Sequence, residues 1–273
     1  MADTPIIDMH HHLGTDPDYA DKLAAQCARL NVVKICIMAL EGWGTGGGFA
    51  GNDAVEAAFT KYPDLICGFG HVRVDIEGPE KVQELKDRGF TGIKFMTPLK
   101  QYNHEAYFPV YEKAEELGMP GLFHLGIVAR HRSGHDVRID CSLMRPVFLD
   151  TIARAFPDWT IIGAHLGNPW YDEATMAARW NPNLYFDLSG STLKYRKPEY
   201  LGELLWWDST TRYGSPDGTS AWDKIVFGSD VDYYEIKDVL HDYENVIKTL
   251  HLSTEMRHAI RYRTAARILG LEA

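Results

Sequence analysis

The strongest constraint on this chain is a pattern. Eight short, almost continuously apolar runs recur along it, most of them separated by longer amphipathic stretches. The runs are PIIDMHHH, NVVKICIMAL, LICGFGHV, FTGIKFM, PGLFHLG, WTIIGAH, NLYFDLS and KIVFGSD. Runs with so little polar alternation suit strands buried on both faces, as in a parallel sheet covered by its crossover helices. The intervening stretches, among them PDYADKLAAQCARL, NDAVEAAFTKY, GPEKVQELKDRG, YFPVYEKAEELG, LMRPVFLDTIARAF and PWYDEATMAARW, carry apolar residues at helical spacing. Eight such units in 273 residues predict an α/β fold, a (β/α)8 TIM barrel with extra C-terminal helices. Those helices are EIKDVLHDYENVIKTL and STEMRHAIRYRTAARILGL, the last with Ala265, Ile268 and Leu269 on one face. No linker-like stretch interrupts the pattern, so residues 1–273 read as one domain.

The rival fold is a doubly wound open sheet. Gly42, Gly44 and Gly47 satisfy G-x-G-x-x-G just after the second run. The third glycine of a dinucleotide fingerprint should already lie in a helix, whereas Gly48 and Gly51 prolong the loop and an N-cap, Asn52 or Asp53, comes only later. A glycine-rich active-site loop is the expectation. A net charge of −10 and a pI near 5.6 argue against a nucleic-acid or anionic-membrane surface. The N-terminus lacks a secretory pattern and the longest apolar run, VVKICIMAL, is too short to span a bilayer, so a cytoplasmic location is expected. The four cysteines, Cys27, Cys36, Cys67 and Cys141, are dispersed and read as reduced. Small-molecule chemistry fits these properties best.

In a barrel of this kind the chemistry sits at the C-terminal ends of the strands. Those ends hold His10, His11 and His12 on the first run, Lys94 on the fourth, His124 on the fifth, His165 on the sixth, Asp187 on the seventh and Asp230 on the eighth. Side chains alternate along a strand, so His10 and His12 share a face and His11 points away. The same parity places Asp8 one layer deeper, as an orienting residue or an additional ligand. His10, His12, His124 and Asp230 make an N3O set for one divalent ion, Zn2+ foremost and Mn2+ second. Such an ion lowers the pKa of a bound water toward about 7 and so supplies hydroxide at neutral pH. His165, near the ion but not needed to hold it, is placed to act as general acid or base or to stabilise an oxyanion. Asp230 is then both a ligand and the acceptor of the water proton.

The motifs resemble the amidohydrolase superfamily, in the branch of metal-dependent hydrolases and decarboxylases that includes aminocarboxymuconate-semialdehyde decarboxylase. The likeness runs over nearly the whole chain. It rests on IIDMHHH, GIKF, YEKAEELGMPGLFHLG, RPVFLDTIARAFPDWTIIGAHLGNPW, NLYFDLSG, KIVFGSD and TAARILGL. By position the resemblance implies His10, His12, His124 and Asp230 as metal ligands and His165 as the catalytic histidine. The fourth-strand motif departs from Gly-x-Lys-Leu-His-Pro, reading Gly92-Ile93-Lys94-Phe95-Met96-Thr97-Pro98, so contacts made by that histidine do not transfer. Lys94 is expected as a structural or pocket lysine, not a carboxylated bridge between two metals. A homodimer is expected through the resemblance alone.

Substrate residues are expected in the basic loop after the fifth strand, with Arg130, His131, Arg132, His135 and Arg138, and at Arg73 and Lys94. Arginines there suit a carboxylate-bearing small molecule. Trp43, Trp170, Tyr171, Trp206 and Trp207 are candidates for an aromatic wall, and WWDSTTRYGSPDGTSAW for a loop near the mouth. Hydrolysis of an amide, ester, lactone or activated C–C carbonyl is the first expectation. Nonoxidative decarboxylation of an unsaturated or aromatic acid is the alternative, and a non-catalytic binding barrel comes third, since a degenerate site should have lost ligands.

Overall fold

The computed structural model describes residues 4–40, 49–129, 139–212 and 214–271. The glycine-rich segment with Gly42, Trp43, Gly44, Gly47 and Gly48, and the basic segment with Arg130, His131, Arg132, His135 and Arg138, lie outside the described residues.

Eight strands form one parallel sheet in chain order: β1 (Ile6–His12), β2 (Val32–Met38), β3 (Ile66–His71), β4 (Gly92–Phe95), β5 (Gly121–Phe123), β6 (Ile161–Gly163), β7 (Leu184–Asp187) and β8 (Ile225–Val226). The backbone brings the last strand round to the first, where Met9 N donates to Phe227 O (2.9 Å) and Asp230 N to His10 O (2.7 Å). Helices α1 (Tyr19–Leu30), α2 (Asn52–Lys61), α3 (Pro79–Asp87), α4 (Phe108–Glu116), α5 (Val147–Ala155), α6 (Tyr171–Trp180), α7 (Ser191–Tyr195), α8 (Pro198–Leu204) and α9 (Ile236–Thr249) follow the strands. Alternation sorts the strand side chains into two cores. Ile7, Met9, Cys36, Met38, Phe69, Leu122, Ile162 and Val226 fill the interior, while Ile6, Ile35, Ile93, Phe95 and Phe123 meet the helices.

The chain ends with α10 (Thr254–His258), a π turn (Ala259–Arg263) and α11 (Thr264–Ile268). Ala265 and Ala266 join the interior cluster, with Ile268 and Leu269 packed on it, so this segment plugs the N-terminal end of the barrel. In its described residues the aromatic-rich stretch 206–222 lies at that end too, contrary to the expectation of a loop at the mouth. It connects the end of α8 to the start of β8, and Ala221 N donates to Trp207 O (2.9 Å). Trp207 is buried there, and Trp206 lies against the Arg179 guanidinium (5.1 Å), so neither walls the catalytic end. Among the described residues no helix is long and apolar enough to cross a membrane.

One local irregularity positions the site. Asp8 pairs with Ile35 and His11 with Ile37, so β1 advances three residues while β2 advances two. This bulge resets the alternation. Ile7 and Met9 face the interior, yet so do His10 and His12. Asp8 therefore does not share their face as simple parity requires; it lies between the two inward residues Ile7 and Met9. Its Oδ1 accepts from His10 N (3.1 Å) and Ser229 N (3.0 Å), which holds the bulge and ties the end of β1 to the segment after β8.

Candidate metal centre and active site

Two imidazoles and a carboxylate converge at the mouth. His12 Nε2 lies 3.5 Å and His10 Nε2 3.7 Å from Asp230 Oδ1. Ligands on a tetrahedral Zn2+ with bonds near 2.1 Å sit about 3.4 Å apart, so these spacings suit one shared ion. Both rings are held by their other nitrogen. His10 Nδ1 donates to Asp187 Oδ2 (3.0 Å) and His12 Nδ1 to Met38 O (3.1 Å), which leaves each Nε2 its lone pair. Burial keeps His12 well below the usual imidazole range, as a neutral ligand requires.

The other sequence-derived candidates fall into place unevenly. Nδ1 of His11 contacts Ser229 Oγ (2.9 Å) and its Nε2 contacts Tyr19 OH (3.1 Å), so the middle histidine is fully engaged away from the centre. His124 extends from β5, with its ring centroid 5.0 Å from that of His165. It lies outside the tight group of His10, His12 and Asp230, but its Nε2 is buried without a hydrogen-bond partner. A buried, partnerless nitrogen beside three converging donors is what an ion-binding set presents, so these residues fit a divalent metal. Lys94 is a competing contact. Fully buried on β4, its Nζ donates to His10 Nε2 (3.2 Å), and burial pushes it down to about 8.

His165 follows β6 in a left-handed backbone conformation (φ 61°, ψ 22°), as does Asp230 (φ 47°). Such conformations persist only where the surroundings impose them. Here His165 N donates to Asp187 Oδ1 (3.0 Å) and Thr192 Oγ1 donates to His165 O (2.5 Å). The hydroxyl of Ser189 gives its single proton to Asp187 Oδ1 (2.5 Å), so it accepts from His165 Nδ1 (2.9 Å). In neutral His165, Nε2 then carries a lone pair, and it faces Asp230 Oδ2 at 3.7 Å. Neutral His165 is thus an acceptor at Nε2, as the general-base role among its expected roles requires, whereas oxyanion stabilisation would need the protonated ring. Burial lowers its pKa, which favours that neutral form. Burial opposes the charge on Asp187, yet His10, His165 and Ser189 hold its carboxyl well below the usual range.

Asp187, Ser189, Ser229 and the Met38 carbonyl were given no role by the sequence, although DLS and FGSD mark three of them. The expected substrate residues are less central. Arg73 is half exposed and bound to Glu77 through both its backbone N (2.6 Å) and Nη2 (3.1 Å). Trp170, half-buried, precedes α6 with the Arg145 guanidinium 5.4 Å from its ring. Beside the centre lies a cavity of about 260 Å3 lined by His12, Tyr19, Phe49, Asp230 and Asp232 among others.

A family model described as Amidohydrolase matches residues 7–271. The chain belongs to the amidohydrolase family. Solved structures share the barrel over almost its whole length. An uncharacterised TIM-barrel protein of Bordetella bronchiseptica is 19% identical with a TM-score of 0.71, covering 98% of this chain and 99% of that one. A probable 2-pyrone-4,6-dicarboxylic acid hydrolase of Acinetobacter baumannii, with citric acid bound, is 15% identical with a TM-score of 0.65, covering 97% and 99%. A 5-carboxyvanillate decarboxylase of Novosphingobium aromaticivorans, with bound manganese, is 12% identical with a TM-score of 0.64, covering 98% and 97%. No curated protein sequence matches the chain. Amidohydrolases typically bind a divalent metal, and this amidohydrolase carries its candidate His/Asp site at the strand ends where such a barrel does its chemistry.

Proposed function

We propose that this amidohydrolase is a metal-dependent hydrolase of a small, carboxylate-bearing amide, ester, lactone or activated C–C carbonyl. The observation that carries the reading is the pair of acceptors, His165 Nε2 and Asp230 Oδ2, facing each other across 3.7 Å. Two lone pairs at that separation favour a shared proton, which an attacking water provides. In this reading His10, His12, His124 and Asp230 hold one divalent ion, Zn2+ first and Mn2+ second, because neutral imidazoles and a carboxylate suit both. A bound ion of this kind supplies Lewis acidity, lowering the pKa of water and polarising a substrate oxygen.

The chain's own residues do the rest. Asp230 takes the proton of the attacking water, and His165 receives it and returns it to the leaving group, while Ser189 and Asp187 hold the His165 ring. Lys94, a buried cation on the inner wall, is placed to meet a substrate carboxylate when it leaves His10. The same lysine, together with the likeness to a decarboxylase, favours nonoxidative decarboxylation of an aromatic or unsaturated acid as the second reading.

A parallel assay of lactones, esters, amides and aromatic carboxylic acids in 18O-labelled water separates the two. Hydrolysis places one solvent oxygen in the product. Carbon dioxide released together with an organic product that carries no solvent oxygen overturns the hydrolase reading in favour of the second.

A further inference from the structure

The inner wall carries another reactive pair, toward the barrel end opposite the metal centre. Cys36 on β2 and Cys67 on β3 are direct partners in the parallel ladder, and both pack on the interior cluster. Adjacent strands place such Cα atoms about 4.8 Å apart, within the roughly 4.4–6.8 Å that a disulfide spans. The two thiols are not equivalent. Cys36 is fully buried, with its Sγ 3.6 Å from Met9 Sδ, whereas Cys67 is partly exposed although the residues on either side of it are buried. Thr91, whose backbone N donates to Gly68 O next to Cys67 (2.8 Å), lines a cavity of about 490 Å3 at the plugged end of the barrel. Lys86 and Arg267 line the same cavity, and Leu269 both lines it and packs on the cluster that Cys67 touches.

Electrostatics follow the same division. The neighbouring Cys36 side chain, with Lys34 and Thr91, brings the Cys67 thiol down to about 7, against the effect of its burial. Burial holds the Cys36 thiol well above its ordinary range. Cys67 is thus the more accessible thiol and the one whose thiolate is favoured, and Cys36 is the buried thiol that stays protonated.

We propose that Cys36 and Cys67 form a redox-modification site in which a hydroperoxide oxidises Cys67 and Cys36 resolves the product into a Cys36–Cys67 disulfide. The Cys67 thiolate attacks the terminal peroxide oxygen, the O–O bond breaks, and the departing alkoxide takes up a proton to leave as an alcohol. Cys67 is now a sulfenic acid. Cys36 Sγ attacks Cys67 Sγ, the S–O bond breaks, and water leaves carrying the Cys36 proton. Two thiols lose two electrons, and the hydroperoxide gains them.

The test uses the reduced full-length protein and one equivalent of hydrogen peroxide, followed by alkylation of the remaining thiols and peptide mapping. Cys36 and Cys67 should disappear together and be recovered as one linked peptide pair that dithiothreitol reverses, with Cys27 and Cys141 still alkylated. Cys67 should react about tenfold faster than an ordinary cysteine, from its larger thiolate fraction. In Cys36→Ser, dimedone should trap Cys67 as a sulfenic acid, and in Cys67→Ser, Cys36 should stay inert. The proposal is overturned if Cys67 survives peroxide that oxidises Cys27 or Cys141, or if it is oxidised while Cys36 remains free. The wild-type mapping decides this without relying on either variant to fold.

Discussion

His12 and His165 flank the same carboxylate and differ in what the proposed function asks of them. His12 Nε2 points to Asp230 Oδ1 beside His10, so an alanine there removes a lone pair from the ion's shell. His165 Nε2 faces the other oxygen, Oδ2, and its loss removes a proton acceptor while sparing the shell. The expected outcome is that His12→Ala loses bound metal by elemental analysis. His165→Ala keeps the metal and loses turnover by about 10²- to 10⁴-fold; equal metal loss in both variants would make His165 a ligand. Asp8 makes a separate prediction for the metal-free protein. Burial lifts its carboxyl from 3.8 to about 7, so the folded state favours the protonated form. A raised carboxyl contributes stability that is complete below 3.8 and is lost as pH rises through about 7. Wild type should therefore lose a few kcal/mol relative to Asp8→Asn between pH 4 and 8. Urea midpoints at both pH values check this, and parallel curves for the two proteins would show that Asp8 stays ionised in the fold.

At the scale of elements, Tyr243 on α9 fastens the ends of two strands. Its hydroxyl donates to Val226 O (3.2 Å) and accepts from Leu188 N (2.9 Å) and Gly228 N (3.4 Å). Phenylalanine would keep the packing and leave two buried N–H groups without their acceptor, at a cost of about 1–3 kcal/mol. Tyr243→Phe should lower the urea midpoint with an unchanged slope. It should also weaken metal binding, because Gly228 leads to Asp230 and Leu188 lies between Asp187 and Ser189; unaltered stability would mean that the N–H groups find other partners. This link also shows what the sequence could disclose. The eight strands were legible because double-sided burial leaves apolar runs, and the H-x-H pair because alternation over two residues survives a nearby bulge. The bulge itself is not legible, since only the β2 register exposes the extra residue, and simple alternation consequently puts Asp8 on the wrong face. Nor were the carboxylate shared by His10 and His165 or the placement of stretch 206–222. Both depend on pairings between distant segments, which leave no local period.

The whole molecule joins its first and last strands at the proposed metal centre. Met9 N donates to Phe227 O (2.9 Å) and Asp230 N to His10 O (2.7 Å), so the seam already holds through backbone contacts. The interior cluster and the C-terminal plug lie below it and contain no proposed ligand. Metal removal should therefore leave the barrel folded and lower its stability. An ion at a hundred times its dissociation constant stabilises the native state by about 2.7 kcal/mol. For a chain of this size that amounts to a melting shift of roughly 5 °C. Dialysis against a chelator should produce that shift with an unchanged far-UV circular dichroism spectrum, and added Zn2+ or Mn2+ should reverse it. A melting temperature indifferent to chelator and to both ions would remove the metal from the centre. Loss of the far-UV signal on chelation would instead show that the backbone seam cannot hold the barrel closed by itself.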